Sequence, residues 1–174
     1  MDTLKAIWTR KSTRSYKPEQ IPEDVLQTIL KAGCAAPAAM ARYDAMHITV
    51  VQKQELLDRI NQITAEAIFK ASGEWENTDF GAKTLLLVSS TPIHRVGTDH
   101  ANVGIVVENM VLAATDLGVD SLILGAAPCA VAQDTELMKA LKIPEGYTPL
   151  LGVFLGYGAE ETPVREHTIA ITRV

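Results

Sequence analysis

The 174-residue chain has two cysteines, Cys34 and Cys129, and neither belongs to a CxxC pair. That spacing supplies no zinc ligand set and no redox dithiol. Two reduced, buried thiols are the expected state, and a disulfide between them is left open. No strand is followed by GxGxxG or GxxxxGK[ST], so a Rossmann fingerprint and a P-loop are excluded. No stretch approaches the roughly 20 apolar residues that cross a bilayer, and MDTLKAIWTRKS at the N-terminus lacks an apolar run of signal-peptide length. A cytoplasmic protein without a membrane partner is expected. Positive charge is scarce: 16 Lys and Arg stand against 21 Asp and Glu, a net charge of −5. A chain of that sign lacks the broad basic face that nucleic acid demands. Repeats, low-complexity tracts and linkers are missing too, so residues 1–174 read as a single domain, and an apolar fraction of 47% excludes disorder.

What is present is a set of clear periodic segments. Asp2 or Thr3 can cap a short helix whose Leu4, Ile7 and Trp8 share a face and which ends near Arg10. IPEDVLQTILKAG predicts a second helix, with Pro22, Glu23 and Asp24 in its first turn, Val25, Leu26, Ile29 and Leu30 as its stripe and Gly33 as its stop. Residues 35–45 read as a loop, MHITVV as a strand, and KQELLDRINQITAEAIFKASG as an amphipathic helix. KTLLLVSS is apolar without alternation, as a strand covered on both faces is. HANVGIVVENMVLAATDLG is apolar nearly all round and predicts a central helix ended by Gly118. Strands over VDSLILGA and YTPLLGVFLGYG flank a short helix at DTELMKALKIPEG, and the alternating TIAITRV is a fifth strand candidate for its own sheet or a partner's. The fold class is α+β, a central sheet wrapped by helices.

Against the acidic background, RKSTRSYKP (Arg10 to Pro18) gathers four cations, two serines and no carboxylate. Arg10, Lys11, Ser12 and Arg14 supply the charge, hydroxyl donors and planar forks that a small phosphorylated anion needs. A solvated surface turn is the plainer reading of the same residues.

The stretch RKSTRSYKPEQIPEDVLQTILKAGCAAPAA resembles the opening of the nitroreductase family of FMN-dependent oxidoreductases. DHANVGIVVENMVLAATDLGVDSLILGA resembles that family's central helix and the strand that reaches the flavin. LMKALKIPEGYTPLLGVFLGYGAEETPVR resembles its closing segment. The resemblance covers most of the chain. It implies a nitroreductase-like fold with a mostly antiparallel sheet, an intertwined homodimer with FMN at the interface, and hydride transfer from NADH or NADPH through flavin N5 to a small acceptor such as a nitroaromatic or quinone, in ping-pong order. Arg10 and Ser12 match positions that bind the FMN phosphate and ribityl chain, and Lys11 matches a neighbouring position. Arg14 matches the cation near flavin N1 and the C2 carbonyl. Pro37, Ala38, Ala39 and Ala41 match the loop that reaches the flavin across the dimer. Leu124 and Gly125 match backbone near N5 and O4, and Arg165 and His167 match two basic phosphate contacts. Asn77 lies in a region where the family can carry a flavin-contacting Asn. The chemistry would belong to the cofactor, so no side chain need act as nucleophile.

The chain departs from the family pattern at PAAMARYDA, where Ala38 lacks a hydroxyl and Ala41 an amide. A flavin-binding carrier or sensor without turnover therefore stands as the alternative. His47 reads as structural, Cys129 as a buried packing residue with a place near the flavin as the alternative, and Glu108 as a buried, partnered carboxylate. His94, Asp99 and His100 make a weak metal-hydrolase reading.

Overall fold

The computed structural model describes residues 2–78, 80–93, 97–161, 163–164 and 167–174. Helix α1 (Thr3–Thr9) opens the chain, and its Asp2 cap accepts from the amides of Leu4 and Lys5. Helix α2 (Glu23–Cys34) follows, then two single 3₁₀ turns at Ala39–Ala41 and Tyr43–Ala45. Strand β1 (Met46–Val51), α3 (Gln54–Ser72), β2 (Thr84–Ser90), α4 (Thr98–Asp116), β3 (Asp120–Leu124), α5 (Ala126–Ala132), α6 (Thr135–Ala140) and β4 (Thr148–Gly156) complete the order.

The four strands form one sheet in the order β1-β2-β4-β3, with every neighbouring pair antiparallel. Strand β2 is central, and all seven of its residues are buried. Its alternation is in space rather than in polarity. Leu86 and Val88 face α2 and α4, where they pack with Ile29, Val107 and Met110. Leu85 and Leu87 face the opposite side, among Leu57, Ile60, Val131 and Leu137 of α3, α5 and α6. The molecule is therefore a three-layer α+β sandwich, and both faces of β2 are apolar because both are covered. Strands β2 and β4 slip register between Val88 and Ser89, and Pro149 stands opposite Ser89 just beyond the slip. A bulge is where a strand tolerates a residue with no amide to donate.

Several expectations are corrected. Gly33 does not stop α2. The helix continues to Cys34, and Gly33 is a contact point: a Cβ there would lie 2.7 Å from Met110 Cγ. Helix α5, not among the elements expected from the sequence, accommodates Pro128 because a proline in the first turn gives up no intrahelical hydrogen bond. Glu108 is exposed, since the one face of α4 that no other element covers contains it. Both cysteines are exposed in the protomer rather than buried. Residues 168–174 form no strand in their own chain, and Ile169 and Ile171 stand 87% and 85% exposed. The apolar stripe of α1 is also uncovered: Leu4, Ile7 and Trp8 all face out.

Candidate functional site

The cationic stretch lies along the edge of the sheet. Ser12 bridges Ser121 of β3 in parallel, and the Thr13 amide donates to the Ser121 carbonyl at 3.0 Å. The Tyr16 amide donates to the Phe80 carbonyl at 2.9 Å and Lys17 to the Tyr157 carbonyl at 2.8 Å, while the Ser15 carbonyl accepts from Ala159 at 2.9 Å. Main-chain bonds to three separate segments thus fix residues 12–17. Within it Thr13 and Tyr16 are buried, and Arg14 is exposed. The Tyr16 ring packs where a Cβ on Gly156 would stand, 2.9 Å from its Cδ1. Burial pushes the Tyr16 phenol well above its ordinary range, the Asp120 charge adds to this, and Arg14 opposes it. Asp120 also accepts from the Gly158 amide at 2.8 Å and faces Lys11 at 3.7 Å.

Arg14 opens onto a cleft of about 240 Å³. Its floor is apolar, with Ile68, Phe80, Leu122 and Phe154 among the lining residues, and its polar groups are Arg14, Asn61, Thr64, Glu76, Asn77 and Thr78. Leu124, Gly125 and Ala126 form another wall at the start of α5, where first-turn amides have no intrahelical acceptor. The Arg14 guanidinium makes only a long 3.5 Å contact to the Ser12 carbonyl. A flat ligand with a polar, electron-rich edge suits this arrangement: apolar surface for its faces, a cation and exposed amides for its edge.

The structure thus gathers Arg14, Leu124, Gly125 and Asn77, which lie far apart in sequence, on one cleft. Arg10, Lys11 and Ser12 are half-buried and are not in its lining. Pro37, Ala38, Ala39 and Ala41 lie away from this cleft, at the end of α2. His167 is exposed outside the cleft, and Arg165 is outside the described residues. Asn61, Thr64 and Ile68 of α3 were not anticipated. Their signal is positional, because Asn61 and Thr64 are polar residues set among the apolar positions of the α3 stripe.

Of the weak metal reading, His94 is outside the described residues, and His100 Nδ1 lies 3.0 Å from Asp99. Among the described residues no group of three or more His, Cys, Asp or Glu is placed to hold a metal ion. His47 sits on β1 against the Tyr147 ring, centroids 5.9 Å apart, with Nδ1 3.3 Å from the Thr49 hydroxyl, as a structural histidine would. No helix among the described residues is long and apolar enough to cross a membrane.

A three-layer α+β sandwich with this cleft at the β3–α5 junction is the nitroreductase fold. A nitroreductase with bound FMN from Bacteroides fragilis superposes with a TM-score of 0.85, at 31% identity, over 100% of this chain and 99% of that one. A nitroreductase with bound FMN from Desulfitobacterium hafniense gives a TM-score of 0.85 at 27% identity over 99% and 100%. The Nitroreductase family profile matches residues 7–157, and the chain belongs to that family. A protein of Archaeoglobus fulgidus, provisionally named NADH dehydrogenase/NAD(P)H nitroreductase, is 31% identical over 167 residues, 92% of this chain and 87% of its own. One of the same name from Methanothermobacter thermautotrophicus is 26% identical over 95% of this chain and 82% of its own.

Proposed function

We propose that the chain is an FMN-dependent oxidoreductase that takes hydride from NADH or NADPH and passes it to a small electrophilic acceptor such as a nitroaromatic or a quinone. The observation that carries this reading is the convergence of Arg14, Asn77, Leu124 and Gly125 on one apolar-floored cleft. FMN, when bound, supplies the hydride relay itself. Ile68, Phe80, Leu122 and Phe154 exclude water from the ring faces. Arg14 contributes a positive charge in a partly closed site, where charge counts for more than in water. It favours negative charge on the ring system and so raises the midpoint potential. Arg10, Lys11 and Ser12, with Arg165 and His167, are the candidate phosphate and ribityl ligands. Lys11 is shared with Asp120, so Arg10 is the freer cation of that group. With one cleft for both, donor and acceptor would occupy it in turn, in ping-pong order.

The reading includes a homodimer. A cleft of about 240 Å³ falls short of the roughly 300–1,000 Å³ of a pocket that encloses a whole small-molecule ligand. A second copy would supply the remainder through residues 37–41. Uncovered apolar residues support that assembly: Leu4, Ile7 and Trp8 on α1, and Ile105 and Leu117 on or just past the α4 helix that α1 packs against. Strand β1 pairs only with β2 among the described residues, so its outer edge can receive the alternating 168–174 segment of the other chain.

The test is the visible spectrum of the purified protein, with released FMN identified by mass, followed by NADH and NADPH oxidation with a quinone acceptor. Flavin bands and turnover are expected. Colourless protein that gains no flavin on incubation with FMN would overturn the reading. Bound FMN without turnover would favour a carrier or sensor, the reading that the side-chain-poor Ala38 and Ala41 keep in view.

A further inference from the structure

Two asparagines on α4, Asn102 and Asn109, stand seven residues apart, about two turns, so they share a face. That face meets α2 and the chain that leaves it. Asn109 Nδ2 donates to the Ala32 carbonyl at 3.1 Å, at the base of the last turn of α2. Asn102 Oδ1 accepts from the Ala39 amide at 2.9 Å, where the first 3₁₀ turn begins. The segment from Ala32 to Ala39 is therefore pinned at both ends to one helix.

Asn102 is only 1% exposed, and its Nδ2 is buried with no hydrogen-bond partner among the described residues. The orientation of the amide follows from its neighbour, because a backbone N–H requires the oxygen. A leucine would fill the same volume without burying an unpaired donor. The position carries that penalty for the sake of its one acceptor. The bond falls just before the only described place where two consecutive non-glycine residues are left-handed: φ is 61° at Met40 and 52° at Ala41. Such backbone persists only when its surroundings fix it, and it collects at ligand-contacting sites. The Ala41 amide closes the turn on the Ala38 carbonyl at 3.0 Å. Both side chains that follow the bond, Met40 and Ala41, are exposed, so neither anchors the turn in the core.

We infer that Asn102 is a positioning residue: its Oδ1 sets Ala39, and through it the strained 39–41 turn, in the shape that meets the cofactor held by a second copy of the chain. Asn109 anchors the root of the same segment. The inference rests on the proposed FMN site and would place a determinant of cofactor affinity on a helix that does not line the cleft.

The experiment compares wild type, Asn102→Leu, Asn102→Asp and Asn102→Ser, with Leu137→Ala as a control in the core on the opposite face of the sheet. FMN affinity is read by quenching of flavin fluorescence, and the Tm of each apo sample is measured alongside. Asn102→Leu is expected to weaken FMN binding at least tenfold. Asn102→Ser, whose oxygen is too short to reach Ala39, should act in the same direction and serves if the leucine variant does not fold. Asn102→Asp keeps an oxygen at the Oδ1 position and should recover most of the affinity. Leu137→Ala should lower Tm while holding FMN affinity within twofold. Affinity within twofold of wild type in Asn102→Leu or Asn102→Ser overturns the inference. So does an equal loss of affinity in Leu137→Ala at equal Tm. A wild-type chain that binds no FMN overturns the functional reading itself, and that result is visible before any variant is compared.

Discussion

Residues 12–17 and residues 37–41, from the cationic and the alanine-rich motifs, are held in opposite ways. The first is extended and tied by main-chain hydrogen bonds to β3, to Phe80 and to the residues after β4. The second is a turn with left-handed Met40 and Ala41 whose Ala39 amide donates to Asn102 Oδ1 of α4. Arg14 arrives at its cleft because the sheet edge dictates its direction. Residues 37–41 do not line that cleft. On the proposed reading, Arg14 belongs to the part of the site built within the protomer and residues 37–41 to the part offered to a second copy.

The strongest way to break this contrast is to remove residues 168–174. If that segment completes the sheet of a second copy, its deletion should abolish dimer and bound FMN together, since obligate interfaces of this kind commonly exceed about 2,000 Å² and leave no stable monomer. Sedimentation together with absorbance at the flavin bands checks it, and a folded monomer that retains FMN would dissolve the distinction between the two halves. Next in size, Arg10→Ala probes the half built within the protomer. A hydrogen bond to a charged group contributes roughly 1.5–3 kcal/mol, so FMN affinity should fall by about tenfold to a hundredfold, as measured by fluorescence titration. In the same half, Arg14→Gln should lower the flavin midpoint potential with little change in fold, which a potentiometric titration detects.

Gly33→Ala sharpens the comparison from the other side. Alanine is the better helix former by about 1 kcal/mol, but its Cβ would fall 2.7 Å from Met110 Cγ, a fully buried side chain. Overpacking typically costs about 1–3 kcal/mol, so a net loss of stability in urea unfolding is expected. FMN affinity should fall with it, because α2 carries residues 37–41. The smallest effect belongs to the closed face. Asp134 caps α6 by accepting from the Leu137 amide and pairs with Arg59 of α3, and these contacts hold its carboxyl below the usual range. A lowered folded-state pKa stabilises above the unfolded value of about 3.9 and is lost as pH falls through and below it. Asp134→Asn should therefore lower Tm slightly at pH 7 and leave it unchanged near pH 2, with FMN affinity unaffected throughout.

The sheet and the main helices were legible because burial writes itself into composition. The TLLLVSS strand is apolar on both faces since helices cover both, and α4 is apolar over most of its circumference since it packs on α1, α2 and the sheet. The convergence of Arg14 with Leu124 and Gly125 was legible only through family resemblance, because 110 residues separate Arg14 from Leu124. What escaped depended on direction. Glu108, Cys34 and Cys129 sit in apolar surroundings along the chain yet face outward in space. Gly33 looks like any helix-stopping glycine until Met110 is set against it. The contributions of Asn61 and Thr64 were hidden in a stripe that reads as core, and Asn102 reads as one polar residue in an apolar helix until its bond to Ala39 is seen.

The exposure of both thiols carries a practical consequence. Cys34 ends α2 on one side of the sheet, and Cys129 sits in α5 on the other, one turn past Gly125. They are the chain's only two cysteines, so a thiol-directed dye or isotope tag marks each side of the molecule at a single known position. Each labelling rate becomes a clock for how often its own surface is covered, and the two clocks run independently within one sample.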